Sequence, residues 1–229
     1  MDVEPFRYPV TGSTGRYAVP VLGGTVLAVG IGLRYASLLT PSIVGILPAI
    51  GAVVAASLLA GYLTTVLTVS TTTPPEFALG QVKAGFRTLL LGAVLFALPL
   101  LLLLAALVNA LSLASGVGTG VVALFVLGAT MALGVVLAVA YVFPIVIVRA
   151  SDRSIRAALS LEGLLPVVRE TGYLLWWALG FWLTAVGVVL LSVTIRSGQI
   201  AGVVTAFLAG YTLLAGSRAL RRGYETVTG

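Results

Sequence analysis

The sequence predicts an all-α membrane protein: a polytopic helical bundle of six transmembrane helices with a short interfacial helix on its cytoplasmic side. Hydrophobic residues make up 59% of the 229 residues and charged residues 9%, against about 25% charged residues in an ordinary soluble domain. The apolar runs are continuous and reach the roughly 20 residues that a helix needs to cross a bilayer. A membrane barrel would instead alternate apolar and polar residues in segments of about ten. Lipid is therefore the expected solvent for most of the chain.

Six apolar spans follow one another within what we expect to be a single integral membrane domain over residues 1–229. Their expected bounds are about 17–37, 43–69, 86–114, 121–148, 173–195 and 200–217. Pro48 lies near the start of the second span, or is its first helical residue with 38–47 as an interfacial elbow. Pro99 lies in the middle of the third span, where it frees the carbonyl of Leu95 and predicts a kink.

A charged segment, residues 151–172, separates the fourth and fifth spans and is expected to be a cytoplasmic amphipathic loop. Its apolar residues recur at helical spacing: Leu161, Leu164, Leu165 and Val168. Another face carries polar residues: Arg153, Arg156 and Ser160. This pattern is typical of a short helix lying on a membrane surface, and a solvated linker is the alternative. We expect Gly163 and Pro166 to end or bend the helix.

The distribution of Lys and Arg predicts the orientation. With a cytoplasmic amino terminus, all but two of the 13 basic residues lie in inside segments, and only Arg34 and Arg196 lie outside. Both termini are therefore expected in the cytoplasm, in the plasma membrane. The same reasoning explains the net charge of +6 without a nucleic acid partner. The spans form three helical hairpins, and the sequence leaves open whether these are true repeats.

The residue types present exclude several chemistries. The chain has no cysteine and no histidine, so it has no disulfides, no thiolate or imidazole metal ligands and no Ser/His/Asp triad. All seven carboxylates fall in predicted cytoplasmic segments, which argues against a proton relay. We therefore expect no catalytic residue, no metal site and no cofactor, and we do not expect an enzyme.

Two sets of residues are candidates for interactions. Small residues repeat every four positions in three spans: Gly24, Ala28, Gly32; Ala52, Ala56, Ala60; and Gly202, Ala206, Gly210. Such stripes let helices approach closely, within one subunit or in a homo-oligomer or a complex with another membrane protein. On the cytoplasmic side, Arg153, Arg156 and Arg169 are candidates to contact anionic headgroups of membrane lipid or an acidic partner, or they only set the topology.

Several short motifs carry a resemblance to a known family. They are Arg7-Tyr8-Pro9, Gly61-Tyr62-Leu63, Pro74-Pro75-Glu76-Phe77, the stretch from Tyr141 to Pro144, and Gly223-Tyr224. From about Phe6 to Tyr224, the chain resembles the archaeal domain of unknown function 4013 family of multi-pass membrane proteins. That family typically has acidic residues and a tryptophan after the Pro-Pro element, where this chain has Ala78 and Leu79. The resemblance implies a membrane location, in a family that is common in haloarchaea and has no assigned activity.

The sequence favours a non-enzymatic membrane protein that works by association with lipid, with itself or with another membrane protein. The alternative is a transporter or channel for a small solute or an ion, since Pro48, Pro99 and the glycine-rich spans allow helices to bend around a cavity. A continuous polar cavity reaching Thr64, Asn109 or Thr130 would favour transport. A dry, filled bundle would favour association.

Overall fold

The computed structural model describes residues 3–40, 43–113, 119–152, 155–197 and 199–228. All regular structure in these ranges is helical, which confirms the predicted all-α architecture. The α-helices are α1 (Glu4–Arg7), α2 (Gly12–Leu38), α3 (Ile46–Thr68), α4 (Gln81–Leu113), α5 (Thr119–Asp152), α6 (Ile155–Ala158), α7 (Leu161–Val168), α8 (Thr171–Arg196) and α9 (Gln199–Thr228). Two 3₁₀ turns, Tyr8–Val10 and Ile43–Gly45, precede α2 and α3.

The long helices match the predicted spans in number. Five stretches in the described ranges are long and apolar enough to cross a membrane, and a bent helix makes a sixth. That helix is α4, which bends by 46° between Gln81–Ala97 and Pro99–Ala105, at the proline that predicted a kink. Pro48 is the third residue of α3, in the first turn, where its missing N–H costs no hydrogen bond.

The chain forms two compact units. Unit 1 comprises Met1–Leu89 and Ile145–Gly229, and unit 2 comprises Leu90–Pro144. Within unit 2, the rings of Phe96 and Phe143 meet edge to face with 5.5 Å between their centroids, so they join the two arms of a helical hairpin. The single integral membrane domain stays a prediction, because compactness in space does not measure whether the two units act together.

The core of unit 1 is built by α2, α3, α8 and α9. Its fully or almost fully buried side chains include Leu22, Val26, Tyr62, Val66 and Leu214. Glycines set the spacing of the helices, because Gly23 lies against Phe207 and Gly187 against Leu213. In a membrane, burial of large apolar side chains gives little driving force, because lipid tails are equally apolar. The van der Waals contacts between closely spaced helix backbones therefore stabilise the bundle.

The beginning of α4 crosses α3 at two glycines. A Cβ atom on Gly61 would collide with the backbone of α4, and a Cβ atom on Gly85 would collide with the carbonyl of Ser57. Beside the crossing, the hydroxyls of Thr64 and Thr88 are hydrogen-bonded at 2.9 Å. The two backbones are therefore in direct contact, and no larger residue fits between them.

The stripe on α9 packs within the chain, as one of the two predicted alternatives requires. Ala206 is fully buried, and Gly210 lies against the backbone of Gly23. Gly202 is buried against the carbonyl of Ser197, in the turn that connects α8 to α9. On α3, the stripe is mixed, since Ala52 is buried whereas Ala56 and Ala60 are half-buried.

Only one member of the small-residue stripe on α2 lies on the packed face of that helix. Gly32 packs against Ala52, but Gly24 and Ala28 are exposed and the space beside Gly24 is open. Gly24 and Ala28 therefore do not lie on the face of α2 that packs within unit 1. A four-residue repeat drifts by about 40° per step around a helix of 3.6 residues per turn, so its members need not all lie on one packed face. Association of Gly24 and Ala28 with a second molecule stays a prediction.

The charged segment 151–172 contains α6 and α7. Gly163 and Pro166 both lie inside α7, so neither residue ends the helix, and a bend at either residue stays a prediction. A proline in the second turn of a helix this short removes only one backbone hydrogen bond. Leu164 and Val167 are buried, and α7 packs against α8 and α9. Leu165, on the predicted apolar face, is 42% exposed, and contact of that face with a membrane surface stays a prediction.

Candidate functional site

One end of unit 1 gathers four segments that are far apart in the sequence: the amino-terminal helix, the loop between α3 and α4, α7, and the last turns of α9. These segments meet because α9 is long. The helix continues to Thr228, beyond the end of the predicted span at 217. These extra turns place Arg218 and Arg222 beside the amino-terminal helix, and Arg221 beside the end of α3 and the loop that follows it. We call this region the charged end of unit 1.

An ion cluster lies at its centre. The Nε atom of Arg218 donates a hydrogen bond to Glu4 at 2.8 Å, and its Nη1 atom lies 3.7 Å from Glu225. Arg218 is only 4% exposed, so its charge is largely removed from solvent and relies on these carboxylates. Arg221 donates to Glu225 at 3.1 Å, and Arg222 lies 3.7 Å from Glu4.

Tyr8 covers the cluster. The guanidinium of Arg218 lies 5.1 Å from the centroid of the Tyr8 ring, which is cation–π geometry. The Tyr8 hydroxyl donates a hydrogen bond to the carbonyl of Thr73 at 3.2 Å. Burial is the main cause that raises the pKa of the Tyr8 phenol above its usual value, while the nearby Arg218 lowers it. The hydroxyl therefore stays protonated at neutral pH and remains a donor.

The loop between α3 and α4 is held by bonds to its backbone. Tyr62 donates to the carbonyl of Pro75 at 3.0 Å, and its ring packs against Phe77. Arg221 donates to the carbonyl of Leu67 at 3.2 Å and to the hydroxyl of Ser70. The Pro-Pro loop is thus a structural part of the charged end, tied both to α3 and to α9.

Two cavities open at this end. The larger, about 410 Å³, lies between the start of α2 and the Pro-Pro loop, and its lining includes Tyr17, Val21, Glu76 and Phe77. The smaller, about 300 Å³, lies between α5, α7 and the end of α9, and Arg149 contributes to its wall. A third cavity of about 160 Å³ lies near Arg34 and Ser197, at the opposite end of unit 1. None of these three cavities is lined by Thr64 or Thr130.

Hydroxyls within the described spans mostly bond to their own helices. Thr130 donates to the carbonyl of Val126 at 2.7 Å, and Thr64 donates to that of Ala60 at 2.8 Å. Thr194 and Thr205 join α8 to α9 at 2.9 Å. The side chain of Asn109 lies outside the described residues. The described part of the chain contains no group of three or more acidic residues that could hold a metal ion.

The three arginines predicted to contact headgroups are not brought together by any described interaction. Arg156 in α6 and Arg169 at the end of α7 are exposed, and Arg153 lies outside the described residues. Exposure is compatible with contact to lipid or to a partner, and that contact stays a prediction.

Sequence reasoning missed the ion cluster. Glu4 and Arg218 are 214 residues apart, and no local pattern pairs them. A partial signal was present, because Arg221 and Glu225 are four residues apart, the spacing of a helical ion pair. That signal also indicates that α9 continues past residue 217.

The fold and this site define a class of protein, a polytopic α-helical membrane protein whose buried charges lie at one end of its helices. Within that class, the chain belongs to the family described as "Protein of unknown function (DUF4013)", whose profile matches residues 43–196. The predicted family is confirmed, but the match excludes Arg7-Tyr8-Pro9 and Gly223-Tyr224, on which the resemblance partly rested. No curated protein and no solved structure matches the chain.

Proposed function

We propose that this protein is a non-enzymatic component of the plasma membrane that works by association, with membrane lipid and with a second copy or another membrane protein. The observation that carries the proposal is that most described intramembrane hydroxyls form bonds within the chain, as between Thr64 and Thr88 and between Thr194 and Thr205, with the buried hydroxyl of Thr184 as an exception. The cavities at the charged end do not extend to Thr64 or Thr130. Polar groups bonded in this way stabilise a bundle rather than line a path.

The proposal includes an orientation, with the charged end of unit 1 and both termini in the cytoplasm. It is supported by the basic residues of the amino-terminal segment and of α9, which lie at the same end of the helices as α7 and the neighbouring Arg169. The chain has no cysteine, so each introduced thiol is the only one present. In intact cells, a membrane-impermeant maleimide should label Ile43→Cys but not Leu79→Cys, and both side chains are well exposed. The reverse labelling would refute the orientation.

Association is tested on the exposed face of α2. We expect Gly24→Leu to reduce the amount of copurifying partner, because leucine fills the open space beside this residue. Val188→Leu, at an exposed position on α8, is the matched control. Proteins and lipids that copurify in mild detergent are identified by mass spectrometry, and self-association is measured by disulfide cross-linking of Gly24→Cys. Substrate-dependent flux in vesicles, without any bound partner or retained lipid, would favour the transporter instead.

A further inference from the structure

The guanidinium of Arg149 lies in a space that only a glycine at residue 163 leaves free. Arg149 lies near the end of α5, and a Cβ atom on Gly163 of α7 would collide with both terminal nitrogens and with the carbon between them. The arginine therefore lies directly on the backbone of α7. A side chain that only oriented the protein in the membrane would have no need of such a fitted position.

The charge of Arg149 has no counter-charge in the described part of the chain. Its Nη1 atom is buried and has no hydrogen-bond partner there, and no described carboxylate forms an ion pair with it. Arg218 differs in its ion pairs, because it is paired with both Glu4 and Glu225, although its Nη1 atom also lacks a hydrogen-bond partner. A half-buried guanidinium without an anion is costly, so an anion beside it stabilises the protein.

The cavity of about 300 Å³ beside Arg149 has room for such an anion. Its wall carries two kinds of surface. Tyr224 bears a hydroxyl group, the hydroxyl of Thr228 already donates to the carbonyl of Tyr224, and Pro166, Val167 and Val227 are apolar. A guanidinium with a nearby phenol hydroxyl and a short apolar wall suits a phosphate group that carries an organic substituent.

We propose that this cavity binds a phosphate group, held by Arg149 between α5, α7 and the end of α9. The cavity lies at the charged end of unit 1, where α7 meets α9, so the phosphate of a lipid headgroup and a free phosphate are its two possible sources. The site goes beyond the proposed function, because an associating protein and a transporter have equal use for a bound anion. It also differs from the exposed Arg156 and Arg169, which line none of the three cavities described above.

The test uses the full-length protein in detergent and two probes, a short-chain phosphatidylglycerol and inorganic phosphate. The unfolding temperature is followed as each probe is titrated, and native mass spectrometry counts the bound lipids. We expect saturable stabilisation of the wild type. Arg149→Gln should bind about tenfold more weakly, which corresponds to the loss of a charge-assisted hydrogen bond. Arg156→Gln removes an exposed arginine of α6, which follows α5 in the chain, and is the matched control.

A second variant leaves Arg149 in place. Val227→Glu puts a carboxylate at the cavity wall, where it should compete with the phosphate and weaken binding to a similar extent. This variant carries the test if Arg149→Gln does not fold. Stabilisation by both probes would identify a free-phosphate site, and stabilisation by the lipid alone would identify a headgroup site.

Three results would overturn the site: stabilisation that does not saturate, equal weakening by Arg149→Gln and Arg156→Gln, or wild-type binding by Val227→Glu. These outcomes are separate from those that test the proposed function. Flux in vesicles would refute association and leave the phosphate site standing, whereas equal weakening would refute the site alone.

Discussion

The hairpin of α8 and α9 in unit 1 and the hairpin that forms unit 2 are both built from two long apolar helices, but their glycines behave differently. In the first, a Cβ atom on Gly180, Gly187 or Gly216 would lie less than 3.0 Å from an atom of the opposite helix. In unit 2, the space beside Gly128 and Gly134 is open. Glycines therefore bring α8 and α9 into contact, whereas these two glycines of unit 2 bring nothing together.

The difference teaches that an apolar sequence is sufficient to place a helix in lipid but not to pack it. Leu100, Leu101, Leu102 and Leu104 of unit 2 are each about half exposed or more. Lipid chains solvate leucine as well as a neighbouring helix does, so these side chains gain little from contact with protein. The helices of unit 1 gain from close backbone contact, from hydroxyl pairs and from the ion cluster.

The largest effect is expected at the crossing of α3 and α4. Gly85→Ala should lower the free energy of unfolding by about 3 kcal/mol or more, because the new methyl group meets backbone that cannot move aside. Gly134→Ala in unit 2 is the control and should not destabilise the protein. Both are measured by thermal unfolding in detergent, followed by size-exclusion chromatography. Equal melting temperatures of Gly85→Ala and Gly134→Ala would contradict the difference between the glycines of unit 1 and those of unit 2.

The second largest loss of stability is expected from a substitution in the ion cluster. Arg218→Met removes a buried charge and leaves Glu4 and Glu225 without their shared partner, which should cost about 2 to 3 kcal/mol. The figure is below the usual range for a buried pair because the Glu4 side chain is 29% exposed. Arg222→Met, at a side chain that is 38% exposed, should cost less than about 1 kcal/mol. Chemical denaturation of both variants checks the ranking, and a larger loss from Arg222→Met would reverse it.

Paired alanine substitutions compare the two hairpins directly. Gly216→Ala in α9 places a methyl group against Thr184 and the carbonyl of Gly180, and should cost about 1 to 2 kcal/mol. Gly128→Ala in α5 meets open space and should stabilise its helix by about 0.5 to 1 kcal/mol. Thermal unfolding gives the sign of each change, and destabilisation by Gly128→Ala would show that this glycine has a packing role.

The smallest effect on stability is expected at the bend of α4. Pro99→Ala restores a backbone donor and should straighten the helix, with a change in the free energy of unfolding below about 1 kcal/mol. Spin labels at Leu90→Cys and Leu104→Cys, both exposed in unit 2, report the change in shape. Their separation should increase toward the roughly 21 Å axial rise of 14 residues in a straight helix. An unchanged distance would mean that the bend has another cause.

Much of the fold could be predicted because membrane insertion depends on local composition. Long apolar runs locate the helices, and Pro99 locates the bend, without knowledge of any partner. The packing could not be predicted in the same way. Gly23 and Gly24 are adjacent and chemically identical, but only Gly23 faces another helix. Which of them does so depends on the rotation of α2 about its axis, and that rotation is set by residues far away in the chain.

The candidate site illustrates the same limit. Arg149 and Gly163 are 14 positions apart, and neither residue alone predicts that the guanidinium of Arg149 packs against Gly163. Glu4 and Arg218 lie outside the matched family region, so the family does not predict their pairing either. Local charge patterns identify which segments stay out of the bilayer, whereas the partner of each charge becomes apparent only from the tertiary structure.

The bond between Glu4 and Arg218 has a consequence for biosynthesis. During translation, Glu4 leaves the ribosome long before Arg218 does, and the buried surface of α2 likewise waits for α9. The helices α2, α3 and α4 can pack against one another earlier, at Gly32, Gly61 and Gly85, but the core of unit 1 stays incomplete until the final helix arrives. The last step in the assembly of unit 1 therefore joins the two ends of the chain.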